Sequence, residues 1–391
     1  MATWPKVKLA DCVNLLAGFP FKSQQFTDKP DDLPLVKGEN VSQGCILWDI
    51  SKRWPALDWD KLEKFHLLPG DIIIAMDRPW VPAGLKWSFI RAGDPKALLV
   101  QRCARLRSCN GRLDQNFLRF VIGSPGFEGY VKPITTGVNV PHISGQQILD
   151  YEFMLPPLPV QRRIAGILSA YDELMENSQR RIRLLEAMAR ALYREWFVHF
   201  RFPGHEKHPR VASPLGDIPQ GWEVKRLDAL VEIKGGKQLE KEDIHETSEF
   251  PVFGGNGIQG YSDKATHRGF VIAFGRVGAY CGAIHWSYGG AWLNNNSSSV
   301  VPLKHDELVL HHLLHFNFTN LRGGAAQPFI SNSALAGIEL LFPGDALAAK
   351  FCSLVKPLRL QQVTLEKSVQ NLRRTRDLLL PRLLSGQVPL P

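Results

Sequence analysis

Residues 160–201, VQRRIAGILSAYDELMENSQRRIRLLEAMARALYREWFVHFR, decide the fold. Positions 168, 175, 182, 189 and 196 carry Leu, Met, Ile, Ala and Trp, and positions 171, 178, 185 and 192 carry Tyr, Ser, Leu and Leu. Eight of these nine are apolar at heptad a and d spacing, which predicts one long amphipathic helix with a coiled-coil seam. Pro156, Pro157 and Pro159 stop the preceding element and permit a helix start. About 40 residues at ~1.5 Å each would make a rod of roughly 60 Å.

A second stretch of the same character runs from Ala346 to Leu384. Shifted by 187 residues, Tyr171, Ile182, Leu185 and Leu192 fall on Leu358, Val369, Leu372 and Leu379. The expected helix-pair interface comprises those eight with Leu168, Met175 and Leu365. Pro357 aligns with Ala170 and should kink the second helix or split it. Gln362 and Arg376 fall at core-type positions of that second seam.

The segments before each helix are also related. Trp222 and Leu227 repeat Trp4 and Leu9 at an offset of 218, and Val231, Ile233 and Gly236 repeat Val13, Leu15 and Gly18. Towards the segment ends the offset is 187: Pro328, Ile330 and Ser331 repeat Pro141, Ile143 and Ser144, and Glu339 and Pro343 repeat Glu152 and Pro156. The chain is therefore an internal duplication that has diverged in the middle of each copy. Strand-like pieces lie at Leu33–Val36, Ile46–Ile50, Asp71–Met76 and Leu98–Leu106, with a short helix near Asn116–Ile122. The reading is an α+β chain divided as 1–157 first domain, 158–201 helix, 202–220 linker, 221–344 second domain and 345–386 helix. Both domains are mixed and β-rich.

A length of 391 residues supports two or three domains with proper cores. No run of 18 apolar residues is present, and polar residues occupy the N-terminal region where a secretory signal would be apolar. The expectation is a cytoplasmic protein. Six scattered cysteines (Cys12, Cys45, Cys103, Cys109, Cys281, Cys352) read as reduced thiols rather than a disulfide framework. The net charge of +9 resides in the two helical stretches, which carry +3 and +6. The remaining residues balance, so contact with DNA phosphates or an acidic partner would fall on the helices. A solvated helix face explains the same charge equally well.

Motifs for catalysis are weak. Gly255 to Gly260 spells GxGxxG, but no helical pattern follows it, so a turn is the better reading. His311, His312 and His315 cluster without the glutamate a zinc helix needs, and read as neutral histidines on a short helix. Glu223-Val224-Lys225 resembles the end of a metal-dependent nuclease motif, but falls on the duplicated domain opening and reads as structural. No phosphate-cradling GKS or GKT loop, no Asn/Asp-Pro-Pro-aromatic tetrapeptide and no nucleophile elbow occurs. A binding protein without catalytic residues or metal is expected.

Three blocks carry a resemblance. Pro156 to Ala165 (PPLPVQRRIA), Ala187 to Phe200 (AMARALYREWFVHF) and Arg376 to Gly386 (RDLLLPRLLSG) resemble the helix blocks of type I restriction–modification specificity subunits. The resemblance implies two target-recognition domains, each reading half of a split, asymmetric DNA sequence. It implies that the helices pack antiparallel as a spacer. It also implies two methyltransferase subunits using S-adenosylmethionine, and restriction/translocase subunits that use ATP and Mg. None of those cofactors would be bound by this chain.

Candidate base readers are polar residues on loops in the diverged middles: Arg78, Thr136 and Asn139 in the first domain, and Lys237, Gln238, Asn256, Arg276, Asn295 and Gln327 in the second. Arginine suits guanine, and asparagine or glutamine suits adenine, by bidentate geometry. Asn and Thr beside glycine also serve as turn formers. Arg190, Arg194, Arg373 and Arg374 could contact phosphate or a partner. Competing readings are a coiled-coil adaptor, an orphan DNA-binding protein, or a nuclease in its own right.

Overall fold

The computed structural model describes residues 4–137, 141–324 and 327–388. Two compact units emerge: Met1–Ser178 with Ser368–Pro391, and Gln179–Lys367. The boundary cuts through both long helices, because each helix half shares its core with a neighbouring sheet domain rather than standing apart.

In the first unit an antiparallel sheet runs in the order Val13–Ala17, Cys103–Ser108, Ile72–Ala75, Trp87–Phe89. The Ile72-Ile73-Ile74-Ala75 run is wholly buried because both faces of that strand are covered. Ile72 and Ile74 pack with Phe117, Phe127, Ile164 and Leu168, together with Leu380 and Leu383 of the second long helix. Ile73 and Ala75 pack on the other side with Val36, Leu99 and Cys103. A second sheet pairs Leu33–Val36 with Ala97–Leu99 in parallel, and Lys6–Lys8 pairs with Glu152–Met154. The helix Gln115–Ile122 is capped by Asp114, whose side chain accepts from the amides of Asn116 and Phe117.

The second unit repeats the plan. Its antiparallel sheet runs Val231–Gly235, Ser297–Pro302, Val271–Gly275, Ile284–Ser287. Phe250–Gly254 pairs in parallel with Trp292–Leu293, and Glu223–Arg226 pairs with Glu339–Phe342. Ser144 and Ser331 cap equivalent short helices, Gly145–Leu149 and Asn332–Ala336.

The first long helix is α-helical over Leu158–Tyr193 and closes in a π-helical turn at Arg194–Val198, short of the expected Arg201. The wider turn places Trp196 and Phe197 together in the core with Phe351, and Phe200 then reverses the chain at φ 57. The second helix runs unbroken over Asp345–Leu384, so Pro357 does not split it. Proline removes one backbone hydrogen bond. Phe351, Val355 and Leu358, packed in one cluster around that point, hold the turn against this loss.

Within each unit the helix halves run antiparallel. In the first, Arg376 donates to Asp172 at 2.8 Å. In the second, Gln362 donates to Glu186 at 3.0 Å, and the rings of Phe197 and Phe351 meet at 5.0 Å. The eleven expected interface residues are all buried or half-buried. Gln362 and Arg376, the polar exceptions on the second seam, are the residues making these hydrogen bonds.

Three further expectations change. Ile46–Ile50 is not a strand; Trp48–Ile50 forms a 3-10 turn. Leu98–Leu106 is two strands of different sheets, with a tight turn at 100–102. The linker 202–220 contains a hairpin, Arg210–Ser213 with Gly216–Pro219.

Candidate nucleic-acid interface

Loops at one end of each main sheet are knitted together by main-chain hydrogen bonds. In the first unit Met76 N donates to Arg102 O (2.8 Å), Arg78 N to Pro141 O (2.7 Å), and Ile143 N to Met76 O (2.9 Å). Phe19 N donates to Leu99 O (2.9 Å), Gln101 N donates to Phe19 O (2.8 Å), and Thr136 and His142 exchange both main-chain bonds. In the second unit Arg276 N donates to Asn296 O (3.0 Å), Gly278 N to Pro328 O (2.9 Å), and Ile330 N to Arg276 O (3.0 Å). Lys237 N donates to Leu293 O (2.9 Å), and Gly323 and Phe329 exchange both bonds.

Apart from the Gln101 bond, the two meshes correspond bond for bond. They make Arg102 the counterpart of Asn296, Asp77 of Val277, and Arg78 of Gly278. Close approach is conserved in kind as well: a Cβ on Gly18 would lie 2.3 Å from Val100 O, and one on Gly236 would lie 1.9 Å from Asn294 O. Only glycine lets those chains cross.

Arg78 is exposed and adopts φ 45, where the second unit has Gly278 at φ 88. Thr136 is exposed and main-chain paired with His142, and Asn139 lies outside the described residues. In the second unit Lys237, Gln238, Asn256, Asn295 and Gln327 are exposed and Arg276 is half-buried. Five of those six fall on one rim. Lys237 is bonded to Leu293 just before the Asn294–Asn296 turn. Gly255, next to Asn256, sits so close to Val277 that a Cβ there would lie 3.1 Å from its carbonyl. Gln327 Nε2 would lie 3.8 Å from a Cβ on Gly278. Gln238 turns back on itself, donating to Leu239 O at 3.3 Å.

Sequence reasoning missed Asp77, Gln101, Arg102 and His142 in the first unit, and Asn296 and Phe329 in the second. The offset between repeats slides from 218 through 200 and 194 to 187 as loop lengths change, so no single shift aligns these turns.

His311 and His312 belong to a buried polar network, not to this rim, while His315 is exposed at the end of the same helix. His312 Nδ1 and the Tyr193 hydroxyl are hydrogen-bonded at 2.9 Å, and Arg359 donates to His311 Nε2 at 3.2 Å. Burial pushes His311 and His312 down to about 3, with the Arg359 charge adding to the effect at His311. Burial also raises Glu307 to about 6, opposed by Arg359 beside it. Among the described residues no group of three or more His, Cys, Asp or Glu is placed to hold a metal ion. Glu223 is exposed and paired with Lys225 at 3.0 Å.

The helix-start motif also has a structural explanation. Gln161 is fully buried; its side-chain oxygen accepts from Asp114 N (2.7 Å) and its amide donates to Arg112 O (2.9 Å) and Pro156 O (2.7 Å). It clamps the first turn of the long helix to the domain it leaves.

Comparison with known proteins is consistent with this duplicated plan. The chain is 25% identical over 296 residues to the type I restriction enzyme MjaIX specificity subunit of Methanocaldococcus jannaschii, covering 70% of this chain and 68% of that one. It is 32% identical over 173 residues to the EcoAI specificity subunit of Escherichia coli, covering 44% of this chain but only 28% of that relative. The fold matches the crystal structure of a type I restriction–modification S subunit from M. genitalium with a TM-score of 0.67 at 16% identity, covering 100% of this chain and 97% of that one. A family model, the type I restriction modification DNA specificity domain, matches residues 1–187 and 219–348. With both halves matched, the chain belongs to the type I restriction–modification DNA specificity family.

Proposed function

We propose that this chain is the DNA-specificity subunit of a type I restriction–modification assembly. One observation carries the reading: the same main-chain loop mesh is built twice, on two copies of one sheet, with different side chains on each rim. Two similar scaffolds bearing different polar groups suit recognition of two different half-sites, because base contacts specify while phosphate contacts position. The candidate readers are those named on the rims. The paired helices act as the spacer, and their basic faces are available for phosphate or for partner chains.

In this reading the chain performs no chemistry. Two methyltransferase subunits dock on it and supply S-adenosylmethionine for adenine methylation; restriction/translocase subunits supply ATP and Mg sites. The relatives it matches are themselves specificity subunits, which supports the division of labour. The experiment is reconstitution with the methyltransferase subunits, followed by mapping of methylated adenines and footprinting. A bipartite motif with two separated protected tracts is expected. Metal-dependent DNA cleavage by the isolated chain, abolished by Glu223→Ala, would overturn the reading in favour of a nuclease.

A further inference from the structure

Each rim holds one arginine against a firm backing, and the backings differ. In the first unit the backing is a carboxylate. Arg102 Nη1 lies 2.8 Å from Asp77 Oδ2, and the other oxygen of Asp77 is hydrogen-bonded to His142 Nδ1. The Asp77 side chain is 19% exposed and that of Arg102 67%, so the carboxylate is sunk while the guanidinium stands out. Arg102 takes φ 67, a left-handed conformation that costs a non-glycine residue energy and clusters at functional sites. Its main chain is pinned by Met76 N, so only the side chain is left to project.

In the second unit, Val277 replaces Asp77, Phe329 replaces His142, and Asn296 replaces Arg102. The arginine now comes from position 276, where the first unit has Met76. Its guanidinium lies over the Phe329 ring at 5.2 Å. Gly235 faces it with no side chain; a Cβ there would sit 3.5 Å from Nη1.

An arginine offers five N–H donors in a planar fork. A carboxylate engaging one nitrogen leaves a full edge free, and that edge matches the N7 and O6 acceptors of guanine in the major groove. Fixing the fork beforehand removes part of the ordering cost of binding. Asp77 cannot face phosphate itself without repulsion, so its position behind the arginine suits orientation rather than backbone contact.

We propose that Arg102, oriented by Asp77 and His142, reads a guanine in the first half-site, and that Arg276, oriented by Phe329, reads a guanine in the second. The proposal rests on the specificity-subunit reading above. Arg102 and Arg276 are contact residues; Asp77 is a positioning residue.

The test uses the full chain assembled with its methyltransferase subunits, acting on a plasmid library with randomised duplex inserts, with methylation mapped by sequencing. The wild-type motif should contain a fixed guanine in each half. Arg102→Asn, which tolerates the left-handed backbone, should relax one guanine of the first half by tenfold or more, on the order expected for one bidentate base contact, and leave the second half intact. Arg276→Gln should do the reverse. Asp77→Asn should relax the same position as Arg102→Asn while leaving the salt dependence of DNA binding unchanged.

The arginine assignment is overturned if either wild-type half lacks a fixed guanine. It is also overturned if Arg102→Asn lowers methylation evenly with the motif unchanged, as a phosphate contact or a solvated ion pair would. A wild-type assembly that methylates no bipartite motif overturns the underlying specificity reading instead. Co-elution of each variant with the methyltransferase subunits separates a change in reading from a failure to fold.

Discussion

Arg376 on the second long helix donates to Asp172 on the first at 2.8 Å, and the other oxygen of that carboxylate takes Arg119 from the domain helix at 3.0 Å. One carboxylate thus ties both long-helix halves and the recognition domain of the first unit. Asp172→Ala leaves the buried Arg119 guanidinium without its carboxylate, while Arg376 keeps Asp377 at 2.7 Å. A loss of about 2 kcal/mol is expected, less than for a fully buried pair because the site is partly solvated. Urea denaturation measures it; a change within error of zero would mean that solvent already screens the network.

The heptad seam predicts a second outcome. Leu185 and Leu372 are half-buried on opposite long helices. Changing both to Asp places charge in an apolar seam and should separate the helix halves within each unit. A pull-down with the methyltransferase subunits reads this out, and undiminished recovery would argue that the seam is not needed for assembly.

Spacer length is open to direct manipulation. Inserting one heptad after Ser178 and one after Lys367 preserves the seam phase and adds about 10 Å to each helix. The mapped motif should keep both half-sites and widen the gap between them by about three base pairs. Altered half-sites at an unchanged gap would defeat the spacer role.

Acid should weaken the second unit. His311 and His312 are driven down to about 3 from 6.5 by burial, so the unfolded chain takes up their protons first. Their contribution is complete above pH 6.5 and drains as pH falls towards 3. Glu307, raised to about 6 from 4.5, acts in the opposite sense and regains stability as pH falls from 6 to 4.5. Two histidines outweigh one carboxyl at about 1.4 kcal/mol per unit each, so a net loss on the order of 2–3 kcal/mol is expected between pH 7 and pH 5. Urea unfolding at the two pH values checks this, and His312→Gln should reduce the difference. Equal stability at both values would contradict it.

The helices were legible in the sequence because a heptad seam spans many turns, and its period survives substitutions such as Ser178. The strand at Ile72–Ala75 was legible as a continuous apolar run, since both its faces are covered. The turn at 100–102 was not. Leu98–Leu106 reads as one alternating strand, and only Gly18 pressing on Val100 forces the chain from one sheet to the next. That packing is set by residues some 80 positions away. Arg102 was missed for the same reason, because nothing local marks it as the counterpart of Asn296. The π turn at Arg194–Val198 was likewise invisible, being imposed by the aromatic cluster around Phe351.

The loop mesh is made almost wholly by main-chain atoms, at Met76 and Arg102 in one copy and at Arg276 and Asn296 in the other. Side chains on the rim therefore contribute little to holding the rim in place. Mutations there can explore new targets at small thermodynamic penalty, whereas the crossings at Gly18 and Gly236 tolerate almost nothing. Selection acting on such a chain would find recognition free to drift while its frame stayed fixed, and a point substitution could rewrite one letter of the target without a compensating change elsewhere.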